Sequence, residues 1–162
     1  MQLSCDCFLF LWLMRLKYKN IPDSKFVLSK YGISRTKFRT DLLNLFYRSN
    51  KSLSIRDILK YFDDAINRVT VYRSLESFEQ KGLIHKVPDK NNLKRYSLCR
   101  HEDCSMDLHN HNHSHFICYS CDQTFCIEDV KSPEIRSLNG FYVKELKLTI
   151  EGYCQNCYKV SK

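Results

Sequence analysis

Apolar residues in the first hundred positions recur at helical spacing in three places. Each set begins after a good N-cap residue, namely Thr36, Ser54 and Asn67. The apolar residues that share this spacing are Phe38, Leu42, Leu45 and Phe46, then Ile55, Ile58, Leu59 and Phe62, and finally Val71, Leu75 and Phe78. Gly82 supplies a stop for the third helix. Three short helices with tight connections predict a helix-turn-helix.

Two β-prone runs follow, at residues 83–87 and 93–98, and the turn-forming segment 88–92 separates them. A hairpin after a helix-turn-helix predicts a winged helix, in which the helix that starts at Asn67 enters the DNA groove. The side chains at its start that can bond to phosphates or base edges are Arg68, Thr70, Tyr72 and Arg73. The alternative is that Tyr72 packs and the arginines are only solvated.

The second half of the chain is predicted to contain strands at 124–127 and 141–150, with a short helix from Ser132-Pro133 to Gly140. An exposed edge of this small sheet could pair with a second copy and give a two-fold homodimer. The predicted fold class is therefore α+β, with a winged helix-turn-helix domain at 23–98 and a small α/β metal-binding dimerisation domain at 99–162.

An apolar run at residues 8–14 precedes these domains. It is too short to span a bilayer, which needs about 20 residues, and it lacks the flanks of a secretory signal. We expect residues 1–22 to be an N-terminal extension or a start-site artefact, and the protein to be cytoplasmic with no membrane partner.

Charge is distributed unevenly between the two halves. Residues 1–98 contain 19 Lys/Arg and 9 Asp/Glu, whereas residues 99–162 contain 7 and 9. A basic first half favours a polyanion such as double-stranded DNA as partner, although a basic face kept for solubility is the alternative.

Cysteines and histidines are concentrated in the second half. Seven of the nine cysteines lie between Cys99 and Cys157, interleaved with five of the six histidines, and this mixture favours metal binding over disulfides. Two Cys-x-x-Cys segments predict a closed tetrahedral zinc site, structural because it leaves no position for substrate, with the ligands Cys118, Cys121, Cys154 and Cys157. A redox dithiol is the alternative.

A second group of possible ligands precedes the first of these segments. His109, His111, His113 and His115 alternate, so their imidazoles share one face if the segment is a strand. Cys99 and Cys126 lie near in sequence. The pattern favours a second metal site, although histidine-rich tracts can also bind metal adventitiously.

Several motifs occur together in one order. They are Tyr31-Gly32-Ile33 leading to Thr36-x-x-Arg39, Thr70-Val71-Tyr72-Arg73-x-Leu75, Gly82-Leu83-Ile84, His113-x-His115-Phe116-x-Cys118-x-x-Cys121 and Gly152-x-Cys154-x-x-Cys157. From about Phe26 to Cys157 the chain resembles the ferric uptake regulator family of bacterial metal-dependent repressors.

The resemblance implies DNA contacts by Tyr72 and Arg73, and a hinge near Leu98. Where some relatives have a DNA-contacting lysine this chain has Ser34, so Arg35 beside it is taken as the substitute, and Arg39 is included as a candidate. The resemblance also implies a regulatory metal held by His85, Cys99, His113 and His115. Cys126 stands where many relatives have a carboxylate ligand, and thiolate in place of oxygen favours Zn(II) over Fe(II) or Mn(II).

We therefore expect a repressor that is not an enzyme and uses no small organic substrate. It would hold one structural zinc and one regulatory zinc that bridges the two domains, and would bind a palindromic operator as a homodimer. Three alternatives are an iron- or peroxide-responsive repressor of the same fold, a zinc-ribbon redox enzyme and a zinc-stabilised protein-interaction module.

Overall fold

The computed structural model describes residues 22–49, 51–63, 65–91, 93–99, 113–127, 129–130, 133, 135, 137–143 and 146–160. Residues 1–21, together with His109 and His111, lie outside this range. Among the described residues, no helix has the length and apolar character needed to cross a membrane. The first compact unit ends at Arg48 and the second begins at Ser49. The domain boundary near residue 98 falls inside the second unit and stays a prediction.

Two helices form the described part of the first unit. Helix α1 spans Ser24–Lys30, and α2 spans Lys37–Arg48. The hydroxyl of Thr36 accepts a hydrogen bond from the backbone N–H of Arg39 at 3.3 Å, so the predicted start of α2 is confirmed. The turn after α1 depends on Gly32, whose φ of +65° favours glycine.

Two further helices open the second unit. Strand β1, Leu53–Ser54, leads into helix α3, Ile55–Tyr61, and α4 spans Arg68–Gln80. Ser54 and Asp57 form a reciprocal capping box at the start of α3. The side chain of Asn67 accepts from the N–H of Val69 at 2.8 Å and caps α4. Both predicted N-caps are confirmed.

A hairpin follows α4. Strands β2, Ile84–Val87, and β3, Arg95–Leu98, pair antiparallel, and β1 adds to the other edge of β3, which gives the order β1-β3-β2. Gly82, at a φ of +74°, makes the turn between α4 and β2. The order of helices followed by a hairpin is that of a winged helix-turn-helix, as predicted.

A second three-stranded sheet follows. Strand β4, Ser114–Cys118, pairs antiparallel with β5, Thr124–Ile127, and parallel with β8, Thr149–Gly152, which gives the order β5-β4-β8. A short helix, α5, spans Gln155–Val160. The mixture of helices and strands confirms the α+β class.

Two predicted elements of the second half are wrong. The proposed strand over 141–150 is interrupted, because Val143 and residues 146–148 lie outside strands; among the described residues of this range, β7, Phe141–Tyr142, and the start of β8 at Thr149 belong to strands. Pro133 and Ile135 are not helical, and strand β6, Ser137–Leu138, pairs with β7 instead of forming a helix. Asn139 and Gly140 both have positive φ, so Gly140 belongs to a hairpin turn and not to a helix end.

Candidate metal centres

Four cysteines converge at one end of the second sheet. Cys118 ends β4 and Cys121 follows in the turn to β5, whereas Cys154 precedes α5 and Cys157 lies within it. Because β4 and β8 are parallel neighbours, the two Cys-x-x-Cys segments leave the sheet side by side. Their four sulfur atoms all lie within 4.8 Å of one another. We call this group the sulfur cluster.

A zinc ion fits the sulfur cluster. Tetrahedral Zn–S bonds of about 2.3 Å place sulfurs about 3.8 Å apart, and the Sγ atoms of Cys121 and Cys154 are 3.9 Å apart. Burial disfavours the thiolate of Cys118, but N–H donors of Cys154, Cys121 and Ser120 outweigh it and lower its pKa. Burial and the neighbouring thiols raise the pKa of Cys121. A second thiolate therefore needs a cation to balance its charge.

Three histidines and one cysteine form a second group, which we call the mixed cluster. His85 lies on β2, His113 directly precedes β4, His115 lies on β4 and Cys126 lies on β5. His113 and His115 share one face of the sheet by alternation, and His115 pairs directly with Cys126 across the strands. All three histidines are buried.

The donor atoms of the mixed cluster converge on one point. The Nε2 atom of His85 lies 3.3 Å from Nε2 of His113, 3.4 Å from Nε2 of His115 and 3.5 Å from Sγ of Cys126. A tetrahedral zinc with Zn–N bonds of 2.0–2.1 Å and a Zn–S bond of 2.3 Å requires donor separations of about 3.3–3.6 Å. Since a neutral imidazole has one donor and one acceptor nitrogen, a shared cation accounts better for three converging Nε2 atoms than hydrogen bonds among them.

Cys99, predicted as a fifth ligand, lies on the other side of His85. Its Sγ is 3.4 Å from Nδ1 of His85, and it is outside the group of mutually close donors found among the described residues. Ser97, two residues earlier, has its Oγ 3.3 Å from Sγ of Cys126. Ser97 was not predicted as a member of either site, although its spacing of two from Cys99 on an extended segment signals that both side chains share one face.

The hairpin contacts the second sheet through residues outside both clusters. Thr124 donates from Oγ1 to the carbonyl of Pro88 at 2.8 Å, and its own carbonyl accepts from the N–H of Ser52 at 3.0 Å. Arg95, which is buried, pairs with Asp89 and lies 3.4 Å from Oε1 of Gln123. Contacts outside the two clusters therefore also hold the hairpin against the second sheet.

Comparison with known proteins places the chain in one family. The model of the ferric uptake regulator family matches residues 30–153. The chain belongs to the ferric uptake regulator family. The ferric uptake regulation protein of Staphylococcus epidermidis is 31% identical to it in an alignment 144 residues long, which covers 86% of this chain and 97% of the relative.

Solved structures of this family share the fold. The ferric uptake regulator of Francisella tularensis with iron has a TM-score of 0.54 and 27% identity, over 78% of this chain and 96% of that chain. A zinc uptake regulator complexed with zinc and DNA has a TM-score of 0.58 and 21% identity, over 93% of this chain and 96% of that chain.

Ferric uptake regulator family members are metal-responsive transcriptional regulators and not enzymes, so the prediction that this chain is not an enzyme is confirmed. The zinc uptake regulator among these solved structures is itself complexed with DNA. Family membership alone does not decide whether the metal is zinc, iron or manganese. The donor atoms of this particular chain are the evidence that bears on the choice.

Helix α4 buries apolar side chains on one face and exposes polar side chains at its start. Val71, Leu75 and Phe78 are fully buried on one face. The exposed side chains of its first two turns include Arg68, Thr70, Tyr72 and Arg73. In the first unit, Arg35 is exposed, and Arg39 is half-buried with its guanidinium bonded to Oγ of Ser34. The roles of these six residues in DNA contact stay predictions.

Proposed function

We propose that this ferric uptake regulator family protein is a zinc-responsive repressor that binds a palindromic operator as a homodimer. The observation that carries the choice of metal is the donor set of the mixed cluster, three imidazole nitrogens and one thiol. Imidazole and thiolate together suit zinc, whereas manganese prefers carboxylate and water. Cys126 is the decisive member because it supplies the only sulfur of this set.

The two clusters would have different roles. Cys118, Cys121, Cys154 and Cys157 would hold a structural zinc, since four thiolates close the coordination shell. His85, His113, His115 and Cys126 would hold the regulatory ion. Bound there, the divalent ion would accept lone pairs from side chains of both the hairpin and the second sheet.

Regulation would follow from where the donors of the mixed cluster lie. His85 belongs to the hairpin that directly follows α4, and the other three donors belong to β4, β5 and the residue before β4. Holding all four together fixes α4 relative to the second sheet. To convert a mostly incompetent population into a mostly competent one, the ion must favour the closed arrangement by about 5 kcal/mol. Linkage requires operator DNA to strengthen metal binding by the same factor that the metal strengthens DNA binding.

DNA contact would be made by the exposed polar side chains at the start of α4. Arg68, Thr70, Tyr72 and Arg73 can reach phosphates and base edges in a major groove, with Arg35 and Arg39 contributing from the first unit. A two-fold dimer would present two such helices to the two arms of a palindrome. The basic character of residues 1–98 supports this partner.

An iron-responsive regulator is the second candidate. It is favoured by the name of the Staphylococcus epidermidis relative, a ferric uptake regulation protein, at 31% identity. It predicts that Fe(II) restores operator binding at free concentrations as low as those at which Zn(II) does.

The test is a titration of operator binding with buffered metals. The protein is prepared with zinc in the sulfur cluster and with the mixed cluster stripped of metal. It is then combined with DNA from the region upstream of its own gene. We expect Zn(II) alone to restore binding at low free concentration. An equal response to Fe(II) would support the second candidate, and tight binding by the stripped protein would contradict any metal switch.

Matched variants at Cys126 sharpen the test. Cys126→Ser and Cys126→Asp both remove the thiolate, but only aspartate supplies a hard oxygen. Since loss of a supporting partner alone costs about 10- to 100-fold in metal affinity, we expect loss of this ligand to cost at least about 100-fold for Zn(II) in both variants. Only Cys126→Asp should gain a response to Fe(II) or Mn(II). Unchanged Zn(II) affinity in both would contradict the assignment of Cys126.

A further inference from the structure

We infer that Ser97 and Cys99 form an outer layer of the mixed cluster, in which Cys99 positions His85, Ser97 positions Cys126, and Cys99 does not bond to the metal. This inference rests on the proposed metal-binding role of the mixed cluster. It assigns positioning roles to one cysteine and one serine of the same strand segment.

The backbone places both residues beside their partners. Ser97 lies directly opposite His85 in the β2–β3 ladder. The N–H of Cys99 donates to the carbonyl of Leu83 at 2.9 Å, which continues that ladder by one more bond. Residues two apart on a strand project to the same face, so Ser97, Cys99 and His85 share a face.

The two nitrogens of His85 face different residues. Its Nε2 atom faces His113, His115 and Cys126, whereas Cys99 Sγ lies 3.4 Å from its Nδ1 atom. The lone pairs of the two ring nitrogens point away from each other. A sulfur on the Nδ1 side therefore does not reach an ion held through Nε2.

The contact with Cys99 has a use when His85 binds metal. An imidazole that binds through Nε2 carries its proton on Nδ1, and a partner for that N–H fixes the tautomer and the ring orientation. The Sγ atom of Cys99 is placed to accept this hydrogen bond. Cys99 thereby acts on the metal only through the ring of His85.

Ser97 supports the other kind of donor. Its Oγ is 3.3 Å from Sγ of Cys126. Once Cys126 has lost its proton, the hydroxyl of Ser97 can donate to the thiolate and reduce the charge that its sulfur gives to the ion. One strand segment thus supports one nitrogen ligand and the one sulfur ligand.

Cobalt(II) is the probe that separates a positioning role from ligation. The full chain, with zinc in the sulfur cluster and the mixed cluster stripped, is titrated with Co(II) alone. The sulfur-to-cobalt charge-transfer band grows with the number of bound thiolates, so we expect the intensity of one thiolate. Cys126→Ser should abolish the band, whereas Cys99→Ser and Cys99→Ala should keep its full intensity.

Affinity and band position report the positioning itself. Cys99→Ala should weaken Co(II) binding by about 10- to 100-fold, and Cys99→Ser should recover part of the loss because its hydroxyl can still accept from Nδ1. Ser97→Ala should move the energy of the charge-transfer band without reducing its intensity. Ser137→Ala, an exposed serine of β6, serves as the control and should change neither.

Clear outcomes overturn the inference. A band reduced to half in Cys99→Ala would make Cys99 a ligand, and Co(II) affinity equal to wild type in both Cys99 variants would remove any positioning role. Thermal unfolding of the stripped variants identifies any folding defect. If Cys99→Ala has such a defect, Cys99→Ser is used for the test. If wild-type protein takes up no cobalt outside the sulfur cluster, the proposed function itself fails.

Discussion

The two clusters differ in what they connect. The sulfur cluster takes all its members from two short segments at neighbouring ends of β4 and β8. The mixed cluster takes His85 from the hairpin and its other members from the second sheet, and His113 follows His85 by 28 positions in the sequence. A cluster built from neighbouring segments stabilises one module, whereas a cluster that draws on separate elements responds to their arrangement. The difference suggests why one chain would need two metal sites.

The largest effect should come from opening the sulfur cluster. Cys118→Ser removes its most buried thiol, and we expect loss of one zinc per chain and of most of the free energy of unfolding. A structural zinc contributes about 10–16 kcal/mol of apparent binding energy, which equals or exceeds the stability of a typical domain. Zinc content and thermal unfolding by circular dichroism measure both changes.

Cys126→Ser is the matched control in the mixed cluster. It should also lose one zinc but keep a cooperative unfolding transition. If Cys118→Ser unfolds as cooperatively as Cys126→Ser, the proposal that the sulfur cluster is structural and the mixed cluster regulatory is wrong.

An intermediate effect is expected at Arg95, which supports the hairpin beside the mixed cluster without being one of its donors. Arg95→Met leaves the buried carboxylate of Asp89 without its cation, and removal of one partner of a buried pair costs about 3–5 kcal/mol. We also expect weaker zinc binding by the mixed cluster and unchanged zinc in the sulfur cluster. Chemical denaturation and competition with a chelator test the two statements.

Lys86→Met provides the comparison, because Lys86 of the same hairpin forms a solvent-accessible ion pair with Glu79 of α4. Such a pair is worth about 0–1 kcal/mol. Equal destabilisation by the two substitutions would contradict the importance of the buried pair.

Locally encoded features were predictable from the sequence. Thr36, Ser54 and Asn67 each bond to a backbone N–H two or three residues later, so their role depends on residue type and position alone. The sulfur cluster was predictable for a similar reason, since a Cys-x-x-Cys loop directs both thiols to one ion and two such loops complete a shell.

Features that depend on strand register were not predictable. The family resemblance predicts that Cys99 and His85 belong to one site. Which imidazole nitrogen the thiol of Cys99 faces, however, depends on the pairing of β2 with β3. The segment before Phe141 was misassigned because Gly140 is compatible with a helix end and with a hairpin turn. Asn139 at positive φ decides for the turn, and this conformation is visible only in the fold.

The smallest effect should come from Thr124, which joins the hairpin to the sheet by one hydrogen bond. Thr124→Val keeps the shape of a side chain that is 1% exposed but removes the donor to the carbonyl of Pro88. Loss of this bond should cost about 1 kcal/mol of unfolding free energy. Zinc affinity of the mixed cluster should fall by a factor of about 5 at most, the factor that 1 kcal/mol represents. Thr149→Val, at an exposed position of β8, is the control and should change stability by less than about 0.5 kcal/mol. A loss of zinc from the sulfur cluster in Thr124→Val would show that the two clusters are coupled through the sheet and not separate in function.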